Sequence, residues 1–144
     1  MTSLVLMTIE TLYANTDFDL KSEIPFDTLN HELDATCCVL HYTQADDGHW
    51  HSIVESLQND ETSPRKAEKD ILAIIDAIKV LTPTAKAEFN SCYLREFNIG
   101  FHCGDTWAYV HTVPPSVVRA VADAGCSIAV TLYPIRNSDG TPKE

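Results

Sequence analysis

The stretch PRKAEKDILAIIDAIKVL, residues 64–81, decides the fold because its apolar residues recur at the spacing of an α-helix. They follow one another three or four positions apart and form a single stripe: Ala67, Ile71, Ile74, Ile75, Ile78 and Leu81. The opposite side is charged and is predicted to face water: Arg65, Lys66, Lys69, Asp70, Asp76 and Lys79. Such a stripe is stable when it packs on another element, so the sequence predicts a helix lying on a sheet.

Downstream of this helix, the sequence predicts three strands and two further helical segments. Pro83 begins a shorter helical segment that runs to Phe89. In YLREFNIGFHC, residues 93–103, apolar and polar residues alternate, which is typical of a half-buried antiparallel strand. Residues 106–113 then predict another strand, 113–125 a helix that ends at Gly125, and 126–134 a last strand.

Upstream of the long helix, the sequence predicts a β-hairpin. Its strands are residues 36–43 and 49–56, and the ADDG segment between them ends in the Asp-Gly pair of a tight turn. A helix is predicted over 24–35. A first strand is predicted over 3–13, with the polar segment 15–23 as a loop or irregular edge. Residues 58–64 are a polar linker in which Ser63 caps the long helix and Pro64 begins it.

Two segments of the chain resemble each other. Residues 24–42 align without a gap with residues 113–131, which matches Pro25 with Pro114 and Cys37 with Cys126. Internal duplication of a βαβ-like unit is one explanation, and the common grammar of helix-to-strand connections is the other. In both cases we expect an α+β fold, a mostly antiparallel sheet of five or six strands with helices packed on one face. We expect one domain over 1–134 and a flexible C-terminal tail over 135–144.

The composition predicts a soluble protein of a reducing compartment. The sequence contains no run of the ~20 apolar residues that span a bilayer, and no basic residue precedes the apolar start, so we expect neither a membrane segment nor a signal peptide. The five cysteines lack CxxC spacing and lie in apolar stretches, which favours free thiols. The expected location is the cytoplasm.

The negative charge is concentrated in the first half of the chain. Residues 1–62 contain twelve acidic residues and one lysine, whereas residues 63–144 contain nine of each sign. This distribution argues against direct binding of nucleic acid and allows attraction of a basic protein partner. It is equally consistent with an acidic surface that only maintains solubility.

The order of elements resembles the bacterial family called domain of unknown function 4279. The resemblance rests on Trp50 at the start of the returning hairpin strand, the long helix, FNIGF at 97–101, and a helix that runs into AGCSIAVTLY. It covers roughly residues 4–134, although the family usually has a Gly-x-x-Pro-Thr segment where DATCCVLHYT stands here. The resemblance implies an α+β domain of bacterial or phage origin, with no established catalytic residues.

The segment DDGHWHS, residues 46–52, is the strongest candidate for metal chemistry. On a strand, His49 and His51 leave the same face and could offer two nitrogens to zinc, while Trp50 points into the core. His41 is expected across the hairpin near residue 53, and the candidates for a third ligand are His41, His102 and His111. The alternative is an exposed histidine pair beside a turn, since a closed zinc site has about four ligands.

No familiar catalytic motif occurs in the chain. Cys103 and His111 could pair as nucleophile and base, but the alternation places Cys103 on the same face as Phe97, Ile99 and Phe101, which favours burial. GxxxxGK[ST], GxGxxG, GxSxG and HExxH are all missing. We therefore predict a protein without catalytic activity.

The leading hypothesis is an acidic module that binds a basic partner protein, such as an immunity protein that neutralises a toxin or an inhibitor of host defence. Its predicted contact residues lie in and after the hairpin: Asp46, Asp47, His49, His51, Glu55, Asp60 and Glu61. Aromatic anchors near turns would add affinity. The competing hypotheses are a zinc-binding domain and a homodimer formed by an exposed strand; the expected state is a monomer or homodimer.

Overall fold

The computed structural model describes residues 9–57, 66–137 and 139–141. Five strands and four helices form within these ranges, in the predicted α+β arrangement. The strands are β1 (Leu12–Ser22), β2 (Cys37–Gln44), β3 (Trp50–Ser56), β4 (Leu94–His102) and β5 (Ser127–Tyr133). The helices are α1 (Asp27–Thr36), α2 (Ala67–Lys79), α3 (Pro83–Ser91) and α4 (Pro115–Asp123).

The strands form one sheet in the order β2-β3-β1-β4-β5. Every neighbouring pair is antiparallel except β4 and β5, which are parallel. Strand β4 is therefore antiparallel to β1, as predicted, and parallel to β5 on its other side. The sheet is mixed, with antiparallel pairing predominant.

The central strand β1 corrects the prediction for residues 15–23. These residues are not a loop, because Thr16, Phe18, Leu20 and Ser22 are all buried and alternate with residues that are less buried. Aspartate disfavours strands, but its polar side chain is tolerated on a face that water can reach. The predicted first strand over 3–13 is described only from residue 9, and its earlier residues lie outside the described ranges.

The core lies between the sheet and the helices. The predicted stripe of α2 is buried at Ile71, Ile74, Ile75 and Ile78. Across from it, the rings of Phe18 in β1 and Phe97 in β4 stack with centroids 4.5 Å apart. Helix α2 begins at Ala67, and Lys66 before it has an extended backbone. The predicted cap at Ser63 and start at Pro64 lie outside the described residues.

Both halves of the chain contain a β-α-β unit. Strands β1 and β2 each pair antiparallel with β3, which lies between them, and are therefore parallel to each other across α1. Strands β4 and β5 are adjacent and parallel across α4. The two units differ in that β3 is inserted into the first one.

The strand predicted at 106–113 does not form. Residues 103–114 run without regular secondary structure, and Asp105 bonds to the backbone of Ile9, with Ile9 N donating to Asp105 Oδ1 at 2.7 Å and Asp105 N donating to Ile9 O at 3.0 Å. Strand β4 could not pair with such a strand, because β1 and β5 already occupy both of its edges.

The position of Asp70 also differs from the prediction. The helical periodicity places it on the wet side of α2, yet it is fully buried. Its carboxylate accepts hydrogen bonds of 2.5 Å from Ser56 Oγ and from Tyr13 Oη. The first turn of α2 thus contacts the sheet through a polar link that an apolar pattern does not reveal.

Candidate functional site

The sheet has a second face, and no helix of the described residues lies over it. Side chains alternate across a strand, so the residues between the buried positions point to this face. We call it the open face. It contains the following side chains of the three central strands: Asn15, Asp17, Asp19 and Lys21 of β1, His51, Ile53 and Glu55 of β3, and Glu96 and Asn98 of β4.

A pair of carboxyl groups lies near the centre of the open face. Asp17 and Glu55 are neighbours on β1 and β3, and Asn15 Nδ2 donates to both, at 3.1 Å to Asp17 Oδ1 and 3.0 Å to Glu55 Oε1. Partial burial, hydrogen bonding to Glu55 and repulsion by Glu55 and Asp19 raise the pKa of Asp17 from 3.8 to about 7. Asp17 is therefore close to half protonated at neutral pH.

An acid–base pair, formed by Asp19 and His51, lies beside the two carboxyl groups. Asp19 stands opposite Glu96 of β4, and His51 Nε2 lies 3.9 Å from Asp19 Oδ1. Burial is the main cause that raises the pKa of Asp19 and lowers the pKa of His51. Nε2 of His51 is buried and has no hydrogen-bond partner among the described residues. A buried polar atom of this kind is costly, and a donor or acceptor from a partner would relieve the cost.

The hairpin predictions are confirmed in their geometry. Gly48 has the positive φ of the predicted turn, at 87°, and His41 pairs with Ile53 across the strands. Trp50 is half buried against the core, with its ring 5.2 Å from that of Tyr42.

His49 and His51 border one small cavity of about 130 Å³ together with Lys21 and Tyr93. His49 Nδ1 lies 2.9 Å from Tyr93 Oη, so this ring is engaged in a hydrogen bond. No group of three or more histidine, cysteine, aspartate or glutamate side chains in metal-binding arrangement occurs in the described part of the chain. Of the predicted third ligands, His111 pairs with Glu68 at 3.0 Å, and the ring of His102 packs 5.6 Å from that of Tyr133.

The other predicted contact residues do not form one surface. Glu55 belongs to the open face, whereas Asp46 and Asp47 lie in the exposed hairpin turn, where Asp47 Oδ1 accepts a hydrogen bond from His49 N. Asp60 and Glu61 lie outside the described residues.

Several acids of the first half lie outside the open face and accept hydrogen bonds from other parts of the chain. On α1, Asp27 accepts from Tyr42 Oη at 2.7 Å, Glu32 from Thr82 N at 2.9 Å, and Asp34 from Val39 N at 3.1 Å. The acidic half of the sequence is therefore divided between the helix layer and the open face. Among the described residues, the two carboxyl groups whose pKa is raised, Asp17 and Asp19, both lie on the open face.

The sequence prediction of contact residues did not include four residues of the open face: Asn15, Asp17, Asp19 and Glu96. The signal that could have found the two aspartates is the alternation D-F-D-L-K over 17–21, in which two apolar residues interrupt three charged ones. Assigning this segment to a loop removed its acids from the sheet and from the candidate site.

The chain matches no protein-family model, no curated protein and no solved structure. Within the described ranges, no helix has the length and apolar character that crossing a bilayer requires. All five cysteines are free thiols.

Proposed function

We propose that this protein is a non-catalytic binding module whose open face contacts a basic surface of another protein. The observation that carries the proposal is the charge of that face. Four carboxyl groups lie there, those of Asp17, Asp19, Glu55 and Glu96. Among the described side chains that define the open face, Lys21 is the one lysine or arginine. Opposite charge on a partner would steer encounter and fix the register of docking.

The energetic argument concerns the state of these groups without a partner. Partial burial and mutual repulsion make the ionised form of Asp17 unfavourable. An arginine or lysine brought against Asp17 and Glu55 supplies the missing positive charge, and a guanidinium can bond both carboxylates at once. The bond from Asn15 to each carboxylate fixes their orientation, so less side-chain freedom is lost on binding.

Immunity proteins that neutralise toxins and inhibitors of host defence are the classes that this description fits. In this proposal, the protein acts by covering a basic surface of its partner. The resemblance to the family domain of unknown function 4279 stays part of this proposal, because it implies a bacterial or phage protein without catalytic residues.

The test is a titration with an arginine-rich peptide at several ionic strengths, followed by NMR. We expect amide shifts that concentrate on β1, β3 and β4, and an affinity that falls steeply as salt rises. Asp19→Asn with Glu96→Gln should weaken binding about tenfold, a typical range for charge pairs at an interface. Asp76→Asn, on the exposed side of α2, is the matched control and should have no effect.

Three results would contradict the proposal. One is an affinity that does not change with salt. A second is a set of shifts centred on α1, whose acids already have intramolecular partners. Shifts confined to Asp46 and Asp47 would return the contact surface to the hairpin and equally overturn the role of the open face.

A further inference from the structure

The helix layer contains a groove that the proposed function does not use. It lies between α2, α3 and α4 and encloses a cavity of about 560 Å³. Small-molecule sites typically range from about 300 to 1,000 Å³, so the groove has the size of a ligand pocket. It opens on the side of the sheet opposite the open face.

The floor of the groove is aliphatic. Ile75 and Ile78 of α2, Leu81 and Ala120 line it, and none of these side chains has a polar atom. Leu81 and Ala120 are only partly buried, so apolar surface remains in contact with water. An alkyl chain would remove that surface from water at a gain proportional to its area.

The rim of the groove is basic, in contrast to the rest of the protein. Lys79, Lys86 and Arg119 border it with a single acid, Asp123. The whole chain contains ten lysines and arginines against 21 acids, so three cations around one apolar pocket are a local reversal of sign. Lys86 is held in place because its Nζ lies 4.6 Å from the centre of the Phe89 ring.

We propose that this groove binds a small amphiphile with one alkyl chain and one carboxylate. The chain lies along Ile78, Leu81 and Ala120, and the carboxylate pairs with Lys79 and Arg119 at the rim. The planar guanidinium of Arg119 matches a carboxylate with two parallel hydrogen bonds. An alkyl cation would meet repulsion at the same rim.

The test is titration of the full chain with dodecanoate below its micelle concentration, followed by calorimetry and NMR. We expect saturable binding of one molecule, with shifts at Ala120, Ala124 and Ile78. Dodecan-1-ol and dodecyltrimethylammonium are the neutral and cationic probes of the same length, and both should bind at least about tenfold more weakly.

Two variants locate the site. Lys79→Gln with Arg119→Gln should weaken dodecanoate binding about tenfold. Lys66→Gln is the matched control, because Lys66 is exposed immediately before the first residue of the same helix, about 20 Å from Lys79 along the axis. Ala120→Phe fills the groove and should abolish binding while the circular dichroism spectrum stays unchanged, since Ala120 is partly exposed.

Three outcomes would overturn the inference. The first is an absence of saturable dodecanoate binding to the unmodified protein. The second is equal affinity for dodecan-1-ol, which would exclude recognition of the carboxylate. The third is a loss of affinity in Lys66→Gln as large as that in the rim variant. The arginine-rich peptide should keep its affinity when dodecanoate is bound, so failure of one site is distinguishable from failure of the other.

Discussion

Asp17 gives a prediction about stability and pH. Burial and the nearby acids raise its pKa in the folded protein from 3.8 to about 7, so the folded state holds this proton more tightly than the unfolded chain. The stability that the proton contributes is complete below about pH 4 and is lost as pH rises through 7. Asp17→Asn removes this loss, and its stabilising effect should therefore be larger at pH 8 than at pH 5.

The measurement is urea unfolding of the protein and of Asp17→Asn at both pH values. Since solvent screens a partly exposed group, we expect a difference on the order of 1 kcal/mol at pH 8. Asp46→Asn, in the exposed hairpin turn, is the control and should show no comparable change with pH. A variant that is equally stabilised at both pH values would show that the raised pKa of Asp17 is not the cause.

Asp70 gives a second prediction at the scale of one residue. Asp70→Ala removes the two hydrogen bonds that the buried carboxylate accepts from Ser56 and Tyr13, each of which contributes about 1–3 kcal/mol. We expect a total loss of about 2–5 kcal/mol in the free energy of unfolding. Asp76→Ala, exposed on the same helix, should change it by less than about 0.5 kcal/mol. Equal effects of the two variants would mean that the buried hydrogen bonds contribute little.

Residues were predictable from the sequence where a single pattern determined their environment. Trp50 follows the alternation of its strand, and Ile74 follows the helical stripe. Cys103, which the alternation placed on the buried face, lies one residue beyond β4 and is only half buried. Asp70 was not predictable, because its burial depends on hydroxyl groups that come from two other elements. In the segment of Asp17 and Asp19, the alternation of apolar and charged residues favours a strand, whereas aspartate disfavours one. The prediction followed the residue type and assigned a loop.

At the scale of elements, the loop after β4 depends on one close contact. A Cβ atom added at Gly104 would lie 2.0 Å from Ile9 O and 2.6 Å from Thr11 N, both in the backbone. Gly104→Ala must therefore displace the segment that precedes β1, and we expect a loss of about 1–3 kcal/mol. Thr112→Ala, exposed in the same loop, is the control. Thermal unfolding that is identical for both variants would show that the loop adapts at no cost.

The same loop shows why one strand was predicted wrongly. Local alternation reports that a segment could pair, but it does not report whether a neighbouring edge is available. Strand β4 pairs with β1 along one edge and with β5 along the other. Strand β5 follows α4 in the chain and runs parallel to β4. The sequence indicated each of these strands, but the order in the sheet follows from long-range packing.

At the scale of the whole molecule, the distribution of charge depends on the fold. The sequence places the negative excess in the first half, but α1 and β1 belong to different layers, so that half is divided between them. The result is an acidic open face on one side and a basic-rimmed groove on the other. Net charge alone predicts neither surface, because both depend on which strands and helices are neighbours.

The charge of the open face predicts that binding of a basic partner releases protons. A cation paired with Asp17 and Glu55 favours the ionised form and lowers the raised pKa of Asp17 towards its ordinary range. Affinity should then rise by up to about tenfold between pH 6 and pH 8, as one group with a pKa of about 7 loses its proton. Calorimetry in two buffers of different ionisation enthalpy measures the protons released.

His51, on the same face, should also make the affinity rise with pH. Its contribution has to be distinguished from that of Asp17. His51 faces Asp19 and Lys21, and its protonation at low pH would also repel a basic partner. His51→Gln removes this contribution, whereas Asp17→Asn removes that of the carboxyl pair. If Asp17→Asn retains the full pH dependence and His51→Gln abolishes it, the histidine governs the coupling. The carboxyl pair would then not be the group that a basic partner deprotonates.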